Sequence, residues 1–196
     1  MNHPKEDKTV LLIKPDGVKR GLVGEFISRV ERRGLKIIAL EMIQATREQI
    51  DNHLPKEEIW IKRIGEKTLK NYETFKIDPQ EAMGTTDPLE IGKQVRGWLM
   101  DYLTSGPMVK MVVKGIHAIE MVRKIIGKTL PTDAEMGTIR GDFSVDSAAA
   151  ANRDKRAIHN LVHASETSEE AKNELGLWFA LEDIYDYKRA EEDIMF

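Results

Sequence analysis

The sequence contains no cysteine, which excludes a disulfide framework, a thiolate metal site and a cysteine nucleophile. It also lacks a long apolar run: stretches such as residues 9–13 fall far short of the roughly 20 residues that a membrane helix needs. Charge of one sign is missing as well. Thirty Lys and Arg against 33 Asp and Glu leave a formal charge of -3, so no global positive field gathers nucleic acid or an anionic membrane. Neither partner is expected, and phosphate binding has to be local. Residues 1–8 are polar with no secretory apolar segment, and a cytoplasmic location is expected. What is present is the balance of a folded soluble chain, 41% hydrophobic and 32% charged; at 196 residues one domain, 1–196, suffices.

Thr9-Val10-Leu11-Leu12-Ile13 is continuously apolar and stops at Lys14-Pro15-Asp16-Gly17, which predicts a buried strand with a lysine at its mouth. Val23, Phe26, Ile27 and Val30 recur at helical spacing before Gly34, predicting an amphipathic helix over 22–33 with a left-handed cap. Strands are predicted at 35–43, at 108–113 after Ser105-Gly106-Pro107, and at 157–162; a helix is predicted over 117–126, ended by Gly127. Thr167 and Glu170 have capping-box spacing ahead of a helix that carries Ala171 and Leu175. This order predicts a ferredoxin-like βαββαβ sandwich of the α/β (α+β) class, with helices covering one face of an antiparallel sheet. Between the second and third strands, Ile59, Trp60, Ile64, Leu69, Tyr72, Ile91, Val95, Trp98 and Leu99 give a helical insertion at about 55–98. A polar, Ala-rich segment at 146–156 is either loop or short helix.

His163, in Asn160-Leu161-Val162-His163-Ala164-Ser165, stands where an apolar strand runs into a small-residue turn and a helix start. A neutral imidazole offers a lone pair to an electrophile such as phosphorus without prior deprotonation. Taken alone, such a histidine is more often structural, the class to which His3, His53, His117 and His159 are assigned. Its company favours chemistry: Ser165, a helix start whose amides favour anions, and Glu174, near the apolar face of that helix, able to hold the ring's tautomer. Lys14 and Arg123 read equally as surface cations. Arg140 sits among glycines that permit close backbone approach and suits an anion clamp. Gly127-Lys128-Thr129 is not a phosphate-binding P-loop, because Val122 stands where the first glycine belongs and the tripeptide follows a helix instead of opening one. Thr129 remains a hydroxyl donor.

Four blocks resemble nucleoside diphosphate kinases: TVLLIKPDGVKRGLVGEFISRVERRGLKIIAL at 9–40, TSGP at 104–107, VRKIIGKTLPTDAEMGTIRGDF at 122–143, and NLVHASETSEEAKNELGLWF at 160–179. The resemblance implies transfer of a nucleoside triphosphate's γ-phosphate, ATP among them, to a nucleoside diphosphate by a ping-pong route through a phosphohistidine, with Mg2+ held mainly by the nucleotide phosphates. It implies that His163 is phosphorylated, Glu174 orients it and Ser165 supports it. Lys14, Arg123, Thr129 and Arg140 hold phosphates, and Asn160 with Lys14 reaches the sugar hydroxyls. Pro131 falls in the segment resembling the family's subunit-contact loop, implying a homo-oligomer, a hexamer. The chain departs from the family at Glu166, where Asp is usual, at Leu54, where a tyrosine is usual, and across the insertion, which leaves Tyr72, Phe75 and Trp98 as alternatives for the aromatic that stacks on the base. The rival is a noncatalytic nucleotide- or RNA-binding module, against which the residues needed for chemistry are all present and no aromatic RNA-binding strand appears.

Overall fold

The computed structural model describes residues 5–195, so His3 lies outside the described residues. Four strands, β1 (Glu6–Ile13), β2 (Lys36–Ile43), β3 (Met108–Ile116) and β4 (Val162–Ala164), form one antiparallel sheet in the order β2-β3-β1-β4. Helices α1 (Pro15–Lys19) and α2 (Val23–Arg32) connect β1 to β2. Four more, α3 (Arg47–His53), α4 (Glu58–Phe75), α5 (Pro79–Met83) and α6 (Pro88–Leu103), fill the gap before β3. Then come α7 (Ala118–Ile126), α8 (Ile139–Phe143) and α9 (Ala148–Arg153); α10 (Ser168–Trp178) and α11 (Glu192–Met195) follow β4. This is the expected βαββαβ order, and α9 resolves the 146–156 segment as a short helix.

Side chains alternate across a strand, so β1 feeds two cores. Leu11 and Ile13 join Phe26 and Val30 of α2 and Val122 and Ile126 of α7. Val10 and Leu12 join Ile50 of α3, Tyr102 and Leu103 of α6, and Trp178 of α10. The helices therefore cover both faces of the sheet instead of the one expected. That second layer is the reason the run through β1 is apolar at every position and not at every other one. Among the described residues no helix is long and apolar enough to cross a membrane.

The apolar stretch at 157–162 predicts a fourth strand, but 157–160 carry no regular structure and β4 begins at Val162. Leu161 is responsible: its φ of 70° lies in the left-handed region and breaks the extended backbone.

Helices α4 and α6 cross almost in backbone contact. A Cβ on Gly65 would lie 1.8 Å from the carbonyl oxygen of Pro88, and one on Gly92 2.0 Å from that of Ile61. Tyr72, Met83 and Ile91 form a small core beside the crossing, and the Asn152 amide of α9 donates to Asn71 of α4 at 3.3 Å. Gly65→Ala is expected to push the helices apart and to destabilise the protein by about 1–3 kcal/mol, the usual range for an overpacked contact. Thermal unfolding should show a drop of several degrees at this chain length; an unchanged midpoint would mean that the crossing has slack.

Candidate active site

The turn before β4 aims the central histidine. Val162 N–H donates to the Asn160 carbonyl at 2.8 Å across Leu161, closing a γ-turn with positive φ at a leucine. Such a conformation is strained by roughly 1–3 kcal/mol and persists only where its surroundings hold it. Here Lys14 N–H donates to the Leu161 carbonyl at 2.9 Å, and Leu161 N–H donates to Asp16 Oδ2 at 3.1 Å. His163 consequently sits inside β4, opposite Leu12, and not beyond the end of a strand.

On α10, Thr167 caps the helix by accepting from Glu170 N–H at 3.1 Å, and Ala171, Glu174 and Trp178 form its buried stripe. That places a carboxylate in the core layer, where it is satisfied on both oxygens. Glu174 Oε1 lies 2.6 Å from His163 Nε2, and Ser165 Oγ donates to Oε2 at 2.6 Å. Ser165 is itself fixed by Val10 N–H, which donates to its hydroxyl at 3.3 Å. Because an ionised carboxylate only accepts, the histidine proton belongs on Nε2 and the lone pair on Nδ1. Nδ1 makes no hydrogen bond among the described residues, and the His163 side chain keeps 24% of its exposure while that of Glu174 keeps 7%. Burial, reinforced by the Lys14 charge, holds the His163 imidazolium well below the usual histidine range, while burial pushes the Glu174 carboxyl up. The nucleophilic form of the ring is thus its resting form at neutral pH.

A second imidazole, assigned from sequence to the structural class, lies against the first. The His53 and His163 rings meet edge to face with centroids 4.6 Å apart, and His53 Nδ1 is 3.4 Å from Glu174 Oε1. Its signal in the sequence was Ile50, fully buried one helical turn earlier on the same face of α3. His117 instead approaches Glu120, at 3.9 Å, and exposed His159 stacks on Tyr102.

Lys14 Nζ donates to Asn160 Oδ1 at 2.6 Å, and the Asn160 amide donates to the Thr129 carbonyl at 2.9 Å, so three separate segments meet at this pair. Burial, and after it the neighbouring Arg140, lowers the Lys14 ammonium to about 7 against the opposing pull of Asp16. Arg140, on α8, is buried and donates to three backbone carbonyls: Nε to Asn160 at 3.1 Å, and its terminal nitrogens to Gly127 at 2.7 Å and Val162 at 2.6 Å. It clamps the two loops and the mouth of β4, with one N–H on each terminal nitrogen left over from the guanidinium's donors. Burial and then Arg123 lower it to about 10, and its own charge acts on both Lys14 and His163, which places all of these in one electrostatic neighbourhood. Arg123 pairs with Glu166 at 3.0 Å, so this glutamate reaches back to α7. Thr129 is exposed, and Lys128 pairs with Glu135 at 2.9 Å.

Of the three aromatics considered for stacking, Tyr72 is fully buried and has no face to offer, Trp98 packs between two cores, and Phe75 is 54% exposed. His53, His163 and Glu174 bring three ligand atoms within 4.8 Å of one another, but these are two imidazoles and one carboxylate already bonded to a neighbour. Mg2+ prefers six oxygens and keeps its waters, so this donor set does not fit it. The surrounding cations fit phosphate oxygens.

The family model described as nucleoside diphosphate kinase matches residues 7–59 and 78–184 of the chain. The nucleoside diphosphate kinase of Pyrobaculum aerophilum is 49% identical over 178 residues, covering 91% of this chain and 97% of that protein. That of Pyrococcus furiosus is 40% identical over 186 residues, covering 95% and 91%. A crystal structure of an NDP kinase from Pyrobaculum aerophilum superposes with a TM-score of 0.89 at 47% identity, over 92% of this chain and 100% of that one. A transition-state mimic of the nucleoside-diphosphate kinase from Borrelia burgdorferi, with bound vanadate and ADP, superposes with a TM-score of 0.76 at 33% identity, over 97% and 96%.

Proposed function

The chain belongs to the nucleoside diphosphate kinase family and catalyses phosphoryl transfer between nucleoside triphosphates and diphosphates; from that premise we propose that His163 Nδ1 is the atom that carries the phosphoryl group. The observation behind the assignment is the 2.6 Å contact between His163 Nε2 and Glu174, which commits one ring nitrogen to the carboxylate and leaves the other as nucleophile. Nδ1 attacks the γ-phosphorus in line, the bond from that phosphorus to the β,γ-bridging oxygen breaks, and the nucleoside diphosphate departs with the electron pair. A second diphosphate then attacks with a terminal oxygen, and the P–N bond breaks in turn. Throughout, Nε2–H stays on Glu174, which stabilises the positive charge that grows on the ring.

Lys14, Arg123, Thr129 and the two remaining N–H groups of Arg140 hold the phosphates and disperse charge over the equatorial oxygens, while Asn160 and Lys14 face the sugar hydroxyls. Mg2+ would be held mainly by the nucleotide phosphates, where it would neutralise part of their charge. The vanadate and ADP held by the Borrelia burgdorferi relative are the ligands this arrangement calls for. Incubation with [γ-³²P]ATP is expected to give an acid-labile phosphoprotein, and initial rates should fit a double-displacement pattern. An obligatory complex with both nucleotides bound would overturn the reading.

Lys14 gives a prediction with a definite sign. Lowered to about 7, its amine is largely neutral above that pH in the free protein, and an arriving phosphate favours the charged form. Nucleotide binding at pH 8 should therefore take up a proton, an uptake that fades as pH falls below 7. Calorimetry in buffers of different ionisation enthalpy reads it directly; binding at pH 8 with no proton uptake would remove Lys14 from the phosphate site.

At a coarser scale, the chain acts as one domain over 1–196 with its helical insertion at about 55–98, of which 60–77 lies outside the family match. It works in the cytoplasm as a homo-oligomer, a hexamer whose contacts include the Pro131 segment. It binds neither membrane nor nucleic acid, and selects bases weakly because stacking accepts any π face.

A further inference from the structure

The second imidazole at the site has a role that its burial alone does not explain. His53 ends α3 with its side chain 5% exposed, and its Nδ1 has two neighbours at the same distance: Trp178 Nε1 at 3.4 Å and Glu174 Oε1 at 3.4 Å. An indole N–H only donates, so Trp178 makes His53 Nδ1 an acceptor and leaves the ring proton on Nε2. With its lone pair taken by Trp178, Nδ1 has no proton to offer the carboxylate. Were Nδ1 protonated, it would donate to Glu174 Oε1 and compete for the same oxygen with His163 Nε2–H, which now holds it at 2.6 Å. With the Trp178 tautomer in place, that oxygen serves the nucleophile alone.

We propose that His53 is a positioning residue for phosphoryl transfer: fixed by Trp178 as the Nε2–H tautomer, it braces the His163 ring edge to face, reserves Glu174 Oε1 for His163 Nε2–H and so leaves His163 Nδ1 turned to the phosphoryl group. Several features support this. The interplanar angle of 89° at a centroid separation of 4.6 Å is an edge-to-face arrangement that resists rotation of either ring. Trp178 also meets the His53 ring edge to face, with centroids 5.5 Å apart, so the three side chains form one edge-to-face cluster. Burial, with His163 and Lys14 adding to it and Glu174 opposing, lowers His53 to about 3, so the ring stays uncharged across the working pH range.

The role rests on the assignment of His163 as nucleophile, and the experiment separates the two. Rapid-quench labelling with [γ-³²P]ATP is run on the wild-type protein, His53→Ala and His53→Asn. His53→Ala should lower the rate constant of phosphoenzyme formation about 10- to 100-fold, the usual loss when an orienting partner is removed, without changing the half-saturating ATP concentration. His53→Asn keeps an acceptor near the Nδ1 position for Trp178 and should recover most of the rate. Labelling of His53→Ala at the wild-type rate, a loss confined to half-saturation, or equal loss in Ala and Asn variants would each overturn the proposal while leaving His163 in place. A wild-type protein that takes no label would instead overturn the nucleophile assignment. Should His53→Ala fail to fold, ¹⁵N NMR of the wild-type protein decides: both rings should carry their proton on Nε2, and a proton on His53 Nδ1 would refute the mechanism.

Discussion

His163→Ala is expected to abolish the phosphoenzyme and to lower kcat/KM by at least about 10⁴-fold, since losing a nucleophile that works as a unit with its partners removes nearly all of the rate enhancement that the unit supplies. The groups proposed to bind phosphate are untouched by the change: Lys14 keeps Asn160, and Arg140 keeps its three carbonyls. ADP affinity should therefore survive, measured by calorimetry, which distinguishes lost chemistry from lost binding. Ser165 still donates to Glu174, so the carboxylate is not orphaned and the fold should persist by circular dichroism. The nearest substitute nucleophile is His53, but its Nδ1 accepts from Trp178 and its side chain is 5% exposed, so it cannot take over. Label retained at undiminished stoichiometry in the variant would place the phosphoryl acceptor elsewhere and remove the basis of the ping-pong mechanism.

The expectations that held share a physical origin. β1 was readable because a strand covered on both faces has to be apolar throughout, and α2 because Phe26 and Val30 recur at a spacing that only a helix brings to one side. Glu174 was readable in part: it falls by helical spacing on the buried side of α10, and a buried carboxylate requires a partner. What went unread depends on what periodicity cannot carry. A left-handed leucine has no signature in composition, so Leu161 shortened β4 to three residues and moved His163 from a strand's end to its middle. His53 and His163 are 110 positions apart, and no local pattern in one sequence announces their contact. Arg140 was read as an anion clamp from its glycine neighbours; its three carbonyl bonds give it a second task, joining the loops around the site, that belongs wholly to tertiary structure.

Glu174→Gln should slow the reaction about 10²- to 10³-fold, more than a typical orienting partner is worth and less than the roughly 10⁴-fold that follows when a catalytic histidine's tautomer is inverted. The amide is the same size as the carboxylate, and its oxygen can still accept from His163 Nε2–H, so the lone pair on Nδ1 stays in place. Ser165 can turn its hydroxyl to accept from the new NH2 group while also accepting from Val10 N–H, because a hydroxyl has two lone pairs. What disappears is the negative charge facing the ring as the P–N bond forms. The loss should therefore fall on kcat and leave KM for the nucleotide unchanged, the mark of an interaction made in the transition state. Stability should move the other way. Burial raises the Glu174 carboxyl above its unfolded value of 4.5, so the native state holds that proton more tightly than the unfolded chain does. The ionised carboxylate accordingly lowers stability above this range, and the penalty vanishes at pH values below the unfolded pKa. The glutamine variant should match or exceed the wild-type melting temperature at neutral pH and lose any advantage near pH 4. A variant that loses less than tenfold in kcat, or that melts earlier at pH 7 than at pH 4 relative to wild type, would show that Glu174 supports the fold and not the charge on His163.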